Sequence, residues 1–226
     1  MNEVVVIVAA GPGLGLAVAR RFAREGASIG LIARSRPRLE ELGDRLREQG
    51  TLVAVAAADV ADETSLRAAF ASLRDLLGDA SVLVFNASEW VEGSPTKVAY
   101  DAFLHGLQVG VGAAVVSVQE VAPAMRAQGR GTIVLTGSVA AERPSVDAAT
   151  VGVAKAGLRN LALSLHRELE PEGIQVVTVT IRGVLQGPRS LDIDDIAEHF
   201  WALHAQPSSA WAAEVSHPPQ VQESSA

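Results

Sequence analysis

A regular alternation of short apolar runs with longer amphipathic segments constrains the fold of this chain more than any other sequence feature. Six runs are rich in β-branched residues and nearly continuous in apolar side chains, which is typical of parallel strands covered on both faces. Six segments with helical periodicity alternate with them. The pattern predicts an α/β fold, a doubly wound parallel sheet flanked by helices. The predicted strands are Val4–Val8, Ser28–Ile32, Leu52–Ala57, Val82–Phe85, Thr132–Leu135 and Ile174–Ile181, and the predicted helices are Leu14–Glu25, Arg36–Glu48, Asp62–Leu77, Lys97–Gln128, Ala148–Glu170 and Asp192–Ala205.

The length of 226 residues suits one α/β domain with a core of its own. The sequence contains no internal repeat and no linker that would divide it. We therefore predict a single domain over residues 1–215. The last segment, 216–226, is rich in Pro, Gln and Ser, and we expect it to be a flexible tail.

Composition excludes several classes of function. The chain has no cysteine, which excludes disulfides, thiolate catalysis and metal sites built on sulfur, and which fits a reducing cytoplasm. The net charge is −7 without a dense Lys/Arg run, so we expect no nucleic-acid partner. We see no apolar stretch near the roughly 18 residues of a membrane span, and no metal-ligand spacing. The apolar start, Val4–Ala10, lacks the basic region of a signal peptide. These features predict a cytoplasmic protein without a membrane partner or a metal.

A glycine cluster follows the first predicted strand and opens the first predicted helix. The segment reads Ala-Ala-Gly-Pro-Gly-Leu-Gly over residues 9–15. Glycines at this place let backbone amides and a helix N-terminus approach a pyrophosphate, whereas a glycine cluster elsewhere often marks only a tight turn. The context favours a nucleotide in a Rossmann-type fold. The predicted contacts are Gly11, Gly13, Leu14 and Gly15.

With this turn, the sequence resembles the short-chain dehydrogenase/reductase family, whose turn reads T-G-x-x-x-G-x-G. Gly13 and Gly15 match the last two glycines, while Val8 and Ala9 stand where the threonine and the first glycine would be. The resemblance continues over nearly the whole chain. The further matches are the acidic adenine contact at Asp59-Val60, a degraded N-N-A-G segment at Phe85-Asn86-Ala87-Ser88, the serine region Thr136–Ala140, the lysine of Y-x-x-x-K at Lys155, and the glycine of the P-G turn at Gly183, with Arg182 replacing the proline.

The resemblance implies a nicotinamide cofactor and assigns residues to it. Its implied contacts, besides the glycine turn, are Asp59, Val60, Asn86, Ala87, Lys155 and Gly183. An acidic residue at the end of the second strand would bind the ribose 2′-hydroxyl of NAD, but here Arg34 follows Ile32-Ala33. Because a guanidinium suits a 2′-phosphate, we expect NADP rather than NAD, with Arg34 as the contact. Two alternatives stay open: Arg34 and Arg36 as solvated residues that start a helix, and loss of the cofactor because Ala9 adds a methyl group.

The residue that exchanges the substrate proton in this family is missing. Family members use a tyrosine four residues before the lysine, a serine that orients the carbonyl, and an asparagine on the long helix. Ser138 and Lys155 are present, but counting from either residue places Val151 at the tyrosine position, and Gly110 stands for the asparagine. The chain's only tyrosine is Tyr100. Since valine cannot exchange a proton, the predicted catalytic residues are Ser138 and Lys155 alone.

Four other polar residues lie on segments that flank the family's substrate pocket. They are Glu89, His105, Glu142 and Asp147, and for each we favour a solvated surface role. The segment Val184–Leu191, which forms a longer lid in many family members, is short here. A short lid predicts an open pocket that excludes less water.

Three hypotheses for function follow. The first, which we favour, is an NADP(H)-dependent oxidoreductase acting on a small molecule with an unorthodox proton donor. The second is a non-redox enzyme (a cyclase, isomerase or dehydratase), and the third is an inactive nucleotide-binding or structural protein. The helices Lys97–Gln128 and Ala148–Glu170 form subunit interfaces in similar proteins, so we expect a homodimer or homotetramer. Gly106, Gly110 and Gly112 fit a subunit contact and close internal packing equally well.

Overall fold

The central element is a seven-stranded sheet in which every neighbouring pair of strands is parallel. In the computed structural model, which describes residues 3–185, 187–188 and 190–219, the strand order is β3-β2-β1-β4-β5-β6-β7. The predicted α/β fold is confirmed. The elements are β1 (Val4–Val8), α1 (Leu14–Ala23), β2 (Ser28–Ala33), α2 (Arg36–Arg47), β3 (Val53–Ala57), α3 (Glu63–Leu77), β4 (Val82–Phe85), α4 (Tyr100–Leu107), α5 (Ala113–Gln128), β5 (Gly131–Ser138), α6 (Ala149–Leu169), β6 (Ile174–Ile181), α7 (Ile193–Ala205) and β7 (Glu214–His217).

Helices cover both faces of the sheet, which explains why its central strands are mostly apolar. Every residue of β1, β4 and β6 is buried. One core cluster joins α3, α5 and α6 to the sheet and includes Phe70, Phe85 and Met125. The other joins α1, α2 and α7 to the opposite face around Phe22 and Phe200. The order of strands reverses between β1 and β4, where open sheets of this kind form a crevice at their carboxyl ends.

The predicted long helix Lys97–Gln128 is interrupted. The helix begins at Tyr100, and a π-helical turn at Gln108–Gly112 separates α4 from α5. A Cβ atom on Gly106 would clash with Thr150 Cγ2, and one on Gly110 would lie 2.9 Å from Ala154 Cβ. These two glycines therefore allow α6 to pack closely, which supports the internal explanation for them.

The continuous helical stretch 100–128 is long and apolar enough to cross a membrane, by length and composition alone. This finding differs from our expectation that no apolar stretch approaches that length. Core helices of soluble proteins meet the same criterion, and 39% of the most apolar window is buried inside the domain. The criterion is therefore weak evidence for a membrane span.

A seventh strand at the sheet edge corrects the predicted domain boundary. β7 pairs with β6 from Thr178↔Glu214 to Ile181↔His217, so the boundary between residues 215 and 216 falls inside a strand. The sequence of β7, Glu-Val-Ser-His, lacks the apolar run that identifies a buried strand, because β7 is half-exposed at the edge. Residues 220–226 of the predicted tail lie outside the described residues.

Candidate functional site

The glycine turn leads from β1 into α1 with one strained residue and one close contact. Ala9, at the position of the family's first glycine, has a φ of 59°, the left-handed region that favours glycine. A Cβ atom on Gly15 would lie 3.0 Å from the Cα of Ala10, so only glycine lets α1 start so close to the turn. A Cβ atom on Gly11 or Gly13 would meet nothing within 4 Å, which leaves the backbone of the turn open to a ligand.

A cavity of about 430 Å³ lies at the carboxyl ends of four adjacent strands. Segments that follow β1, β2, β3 and β4 line it, as expected for a ligand site in an open parallel sheet. The cavity brings together five predicted nucleotide contacts, which are Gly11, Arg34, Asp59, Val60 and Ala87. Among the described residues, the six other predicted contacts do not line it. Gly13, Leu14 and Gly15 lie in the turn and α1, Asn86 donates its backbone N–H to the Val8 carbonyl, and Lys155 and Gly183 lie on α6 and after β6.

One face of α2 supplies cationic side chains that the sequence interpretation missed. Arg38 and Arg45 line the cavity together with Arg34. Their spacing of seven residues places both on the same helix face, so helical periodicity could have found them. Arg36, the other expected arginine, is exposed, and its Nη2 lies 3.5 Å from Glu40 Oε1. Arg34 thus faces the cavity, and Arg36 has the solvated role that the sequence left open.

Lys155 is buried on α6 without an acidic partner among the described residues. Its Nζ donates to the backbone carbonyl of Thr136 at 2.7 Å and to that of Ala87 at 3.4 Å. Burial lowers the pKa of Lys155 to about 8, because the ammonium loses its hydration. Ala87 also lines the nucleotide cavity, so Lys155 lies just behind the cavity wall.

Ser138 and Val151 complete the predicted catalytic region. Ser138 is the last residue of β5, and its Oγ accepts a hydrogen bond from the Ala140 amide at 3.2 Å. Val151 is half-buried in the first turn of α6, one turn before Lys155. The neighbouring Thr150 is fully buried against Gly106, and its Oγ1 has no hydrogen-bond partner among the described residues. Thr150 is therefore packed against α4.

The segment after β6 is held by its own contacts. A Cβ atom on Gly183 would lie 2.8 Å from the Cγ of Leu191, so a side chain there would displace Leu191. The Leu191 amide also donates to the Val184 carbonyl at 2.9 Å. The two ends of the short segment therefore contact each other. Gln186 and Arg189 within it lie outside the described residues.

The structure separates the four polar candidates that flank the pocket. Arg182, which replaces the family's proline, donates to both carboxylate oxygens of Glu142 at 2.8 and 2.9 Å, so Glu142 is engaged in an ion pair. Asp147 is exposed on the loop before α6. Glu89 and His105 form a pair across the cavity wall, with 2.6 Å between Oε2 and Nδ1, and both line the cavity. The predicted surface role holds for Asp147 but not for Glu89 and His105.

No group of three or more His, Asp or Glu side chains that could hold a metal ion occurs within residues 3–185, 187–188 and 190–219. The candidate site comprises the glycine turn, three arginines, a buried lysine, a serine and a histidine–carboxylate pair.

Comparison with known proteins places the chain in a family. A family model for short chain dehydrogenases matches residues 3–188. An uncharacterized oxidoreductase of Staphylococcus epidermidis is 25% identical, covering 95% of this chain and 96% of the relative. The structure is similar to that of L-sorbose reductase from Gluconobacter frateurii complexed with NADPH and L-sorbose, with a TM-score of 0.89, 27% identity, and coverage of 95% and 94% of the two chains. A metagenomic short-chain oxidoreductase in complex with NADP gives a TM-score of 0.86 at 27% identity, with 97% and 98% covered. The chain belongs to the short-chain dehydrogenase/reductase family.

Proposed function

We propose that this protein is an NADP(H)-binding oxidoreductase that acts on a small molecule and obtains the substrate proton from a group other than tyrosine. The observation that carries the proposal is the cavity at the crossover of the sheet, which joins the glycine turn to Arg34. Two of the similar structures hold NADPH or NADP. The residues of this chain fit such a cofactor, because the backbone at Gly11 and Gly13 is open to a ligand.

Cationic side chains favour NADP over NAD in this proposal. Arg34 follows β2, where the family's NAD-specific members carry an acidic residue, and Arg38 and Arg45 on α2 line the same cavity. A 2′-phosphate would gain charge-assisted hydrogen bonds from these guanidinium groups. Titration of the purified protein with NADPH and with NADH tests the choice. Tighter binding of NADPH is expected, and equal affinities would contradict it.

When bound, a nicotinamide supplies or accepts the hydride. For the protein's own part, we propose that the Ser138 hydroxyl donates a hydrogen bond to the substrate oxygen and that Lys155 holds a ribose hydroxyl. Val151 cannot move a proton, so the proton comes from the substrate, from water or from another side chain. The short segment Val184–Leu191 leaves the pocket open to water.

The replacement of a phenol by Val151 favours a second candidate function. A non-redox enzyme, such as a cyclase, isomerase or dehydratase, would use Ser138 and Lys155 to orient a reactive intermediate without hydride transfer. A protein that only binds the nucleotide would retain the same cavity. NADPH binding without reduction of any carbonyl compound in a broad screen would favour these two alternatives, whereas NADPH oxidation coupled to product formation would support the oxidoreductase.

We further propose that the chain assembles as a homodimer or homotetramer through α4, α5 and α6. An apolar groove of about 610 Å³ lies between α4 and α6, and Tyr100 and Val153 on these helices are exposed by 72% and 48%. Burial of such apolar surface against a second copy would be favourable. Light scattering at micromolar concentration tests the assembly, and a monomer would contradict it.

A cytoplasmic location remains part of the proposal, supported by the lack of cysteine, and cell fractionation tests it.

A further inference from the structure

A histidine–carboxylate pair stands in the wall of the nucleotide cavity. Glu89 lies on the segment after β4, and His105 lies on α4. The distance of 2.6 Å between Glu89 Oε2 and His105 Nδ1 is that of a strong, charge-assisted hydrogen bond. If Nδ1 donates to the carboxylate, the ring is held in one orientation and Nε2 is left for another partner. Among the described residues, His105 makes no second hydrogen bond.

The packing of α4 directs this pair toward the cavity. Gly106, the next residue, contacts Thr150 on α6, so the α6-facing side of α4 is occupied by close packing. His105 and Val109, one helical turn apart, both line the cavity. The side chains of Glu89 and His105 retain 29% and 43% exposure, which leaves both accessible to a ligand.

The pair shares its cavity with the groups proposed to hold the adenosine half of a dinucleotide. Arg34, Asp59 and Val60 line the same cavity, whereas Ser138 and Val151 do not. This placement favours ligand binding by His105 over proton transfer at the substrate. A carboxylate beside a phosphorylated ligand is repulsive on its own, but a hydrogen-bonded imidazole reduces that repulsion and offers a nitrogen to ribose or phosphate oxygens.

The altered glycine turn is a second observation that favours ligand binding by the pair. Ala9 places a methyl group in the cavity wall where the family has bare backbone. Contacts from other residues that line the cavity would compensate for this restriction. We propose that His105 hydrogen-bonds, through Nε2, the ribose or phosphate oxygens of the adenosine half of NADP(H), with Glu89 as the residue that positions the imidazole. This inference rests on the proposed nucleotide binding.

Calorimetric titration with three ligands tests the inference: NADPH, adenosine 2′,5′-bisphosphate and nicotinamide mononucleotide. His105→Phe keeps a planar ring and removes both nitrogens. Because one hydrogen bond is lost, we expect roughly three- to tenfold weaker binding of NADPH and of the bisphosphate. Binding of the mononucleotide should not change. Glu89→Gln should weaken binding of the same two ligands by a smaller factor, since the amide holds the ring less firmly but no longer repels the phosphate groups.

A second histidine–glutamate pair provides a matched control. His204 Nε2 lies 3.2 Å from Glu3 Oε2, at the amino end of β1 and away from the cavity. His204→Phe should leave all three affinities unchanged, and thermal melting of each variant verifies that it is folded.

The possible results are distinguishable. If the parent protein binds neither NADPH nor the bisphosphate, the proposed function fails and the inference fails with it. If the parent binds both and His105→Phe binds them equally well, the inference alone is overturned. If His105→Phe retains these affinities but loses turnover, the role of His105 is proton transfer and the binding role is wrong. Selective weakening of NADPH and the bisphosphate supports the inference.

Discussion

The two halves of the site differ in what they retain from the family. The nucleotide half, from β1 to the segment after β4, retains two family glycines, gains arginines on α2 and forms a defined cavity. The catalytic half, from β5 to the segment after β6, retains Ser138 and Lys155 but carries Val151 where an ionisable group is needed. Under the proposed function, ligand binding and proton chemistry have therefore diverged separately within one fold.

The physical basis of this difference is the kind of group on which each half depends. The proposed nucleotide binding would use many backbone amides and several charges, so the change at Ala9 would remove only part of the interaction. Proton transfer depends on a single side chain of suitable pKa, and its loss costs on the order of 10²–10⁴ in rate.

The largest expected effect comes from restoring a phenol in the catalytic half by Val151→Tyr. Val151 is half-buried, so the first turn of α6 has room toward solvent, and Lys155 lies one turn away. The ammonium would lower the pKa of the new phenol. Reduction of an activated ketone or quinone with NADPH should rise at least about tenfold.

Val151→Phe provides the control, because it has the same ring without the hydroxyl. A folded Val151→Tyr variant that binds NADPH without any gain in rate would show that the two halves differ by more than one residue, and would favour the non-redox function. A parent protein that is already as fast would show that another acid replaces tyrosine. Glu142 is then a weak candidate, because Arg182 engages both of its carboxylate oxygens.

The sequence predicted the two halves with unequal success, for physical reasons. Apolar strands and helix periodicity depend on local sequence, so all six predicted strands and the cavity residues Gly11 and Arg34 could be located. β7 was missed because a half-exposed edge strand has no apolar run. The pair formed by Glu89 and His105 was missed because it joins segments 16 residues apart, a contact that composition and periodicity do not encode.

The second change tests whether the positive charge of Arg34 sets the preference for NADPH. Arg34→Ala should narrow the preference for NADPH over NADH, since a lost charge-assisted phosphate contact costs about 1.5–3 kcal/mol. Arg36→Ala is the matched control, because Arg36 is exposed beside Glu40 and should not affect the preference. Parallel titrations of both cofactors measure the effect. An unchanged ratio of affinities in Arg34→Ala would show that Arg38 or Arg45 carries the recognition.

The third change uses the pKa of Lys155, which burial lowers from about 10.5 to about 8. Between these values the unfolded chain binds more protons than the folded one. The free energy of unfolding should therefore rise with pH, by up to about 1.4 kcal/mol per pH unit, and this group should contribute no slope well below pH 8. The chain has only one other lysine, the exposed Lys97, and one tyrosine, the exposed Tyr100, so the background is small.

Denaturant unfolding of the parent protein and of Lys155→Met between pH 7 and 10 measures this slope. The parent should gain stability relative to the variant as the pH rises. Parallel curves would mean that Lys155 remains hydrated and charged in the folded protein, and that the catalytic half is more open than its buried contacts to Thr136 and Ala87 indicate.

The smallest effect is expected from Ala9→Gly. This variant tests whether alanine at position 9 weakens nucleotide binding. The left-handed φ of 59° costs an alanine about 1 kcal/mol, but glycine adds a similar entropy to the unfolded chain. The free energy of unfolding should therefore change by less than about 1 kcal/mol. Removal of the methyl group from the cavity wall should tighten NADPH binding severalfold, as measured by titration.

Ala10→Gly separates the effect of the methyl group at position 9 from that of flexibility. Ala10 also lines the cavity, but it is buried against the turn and its φ is not in the left-handed region, so glycine there adds freedom without relieving strain. This variant should lose roughly 0.4–1 kcal/mol of stability and gain no affinity. If Ala9→Gly fails to tighten NADPH binding, alanine at the turn does not restrict the ligand. The nucleotide half is then fully functional, and the divergence of this protein lies entirely in the catalytic half.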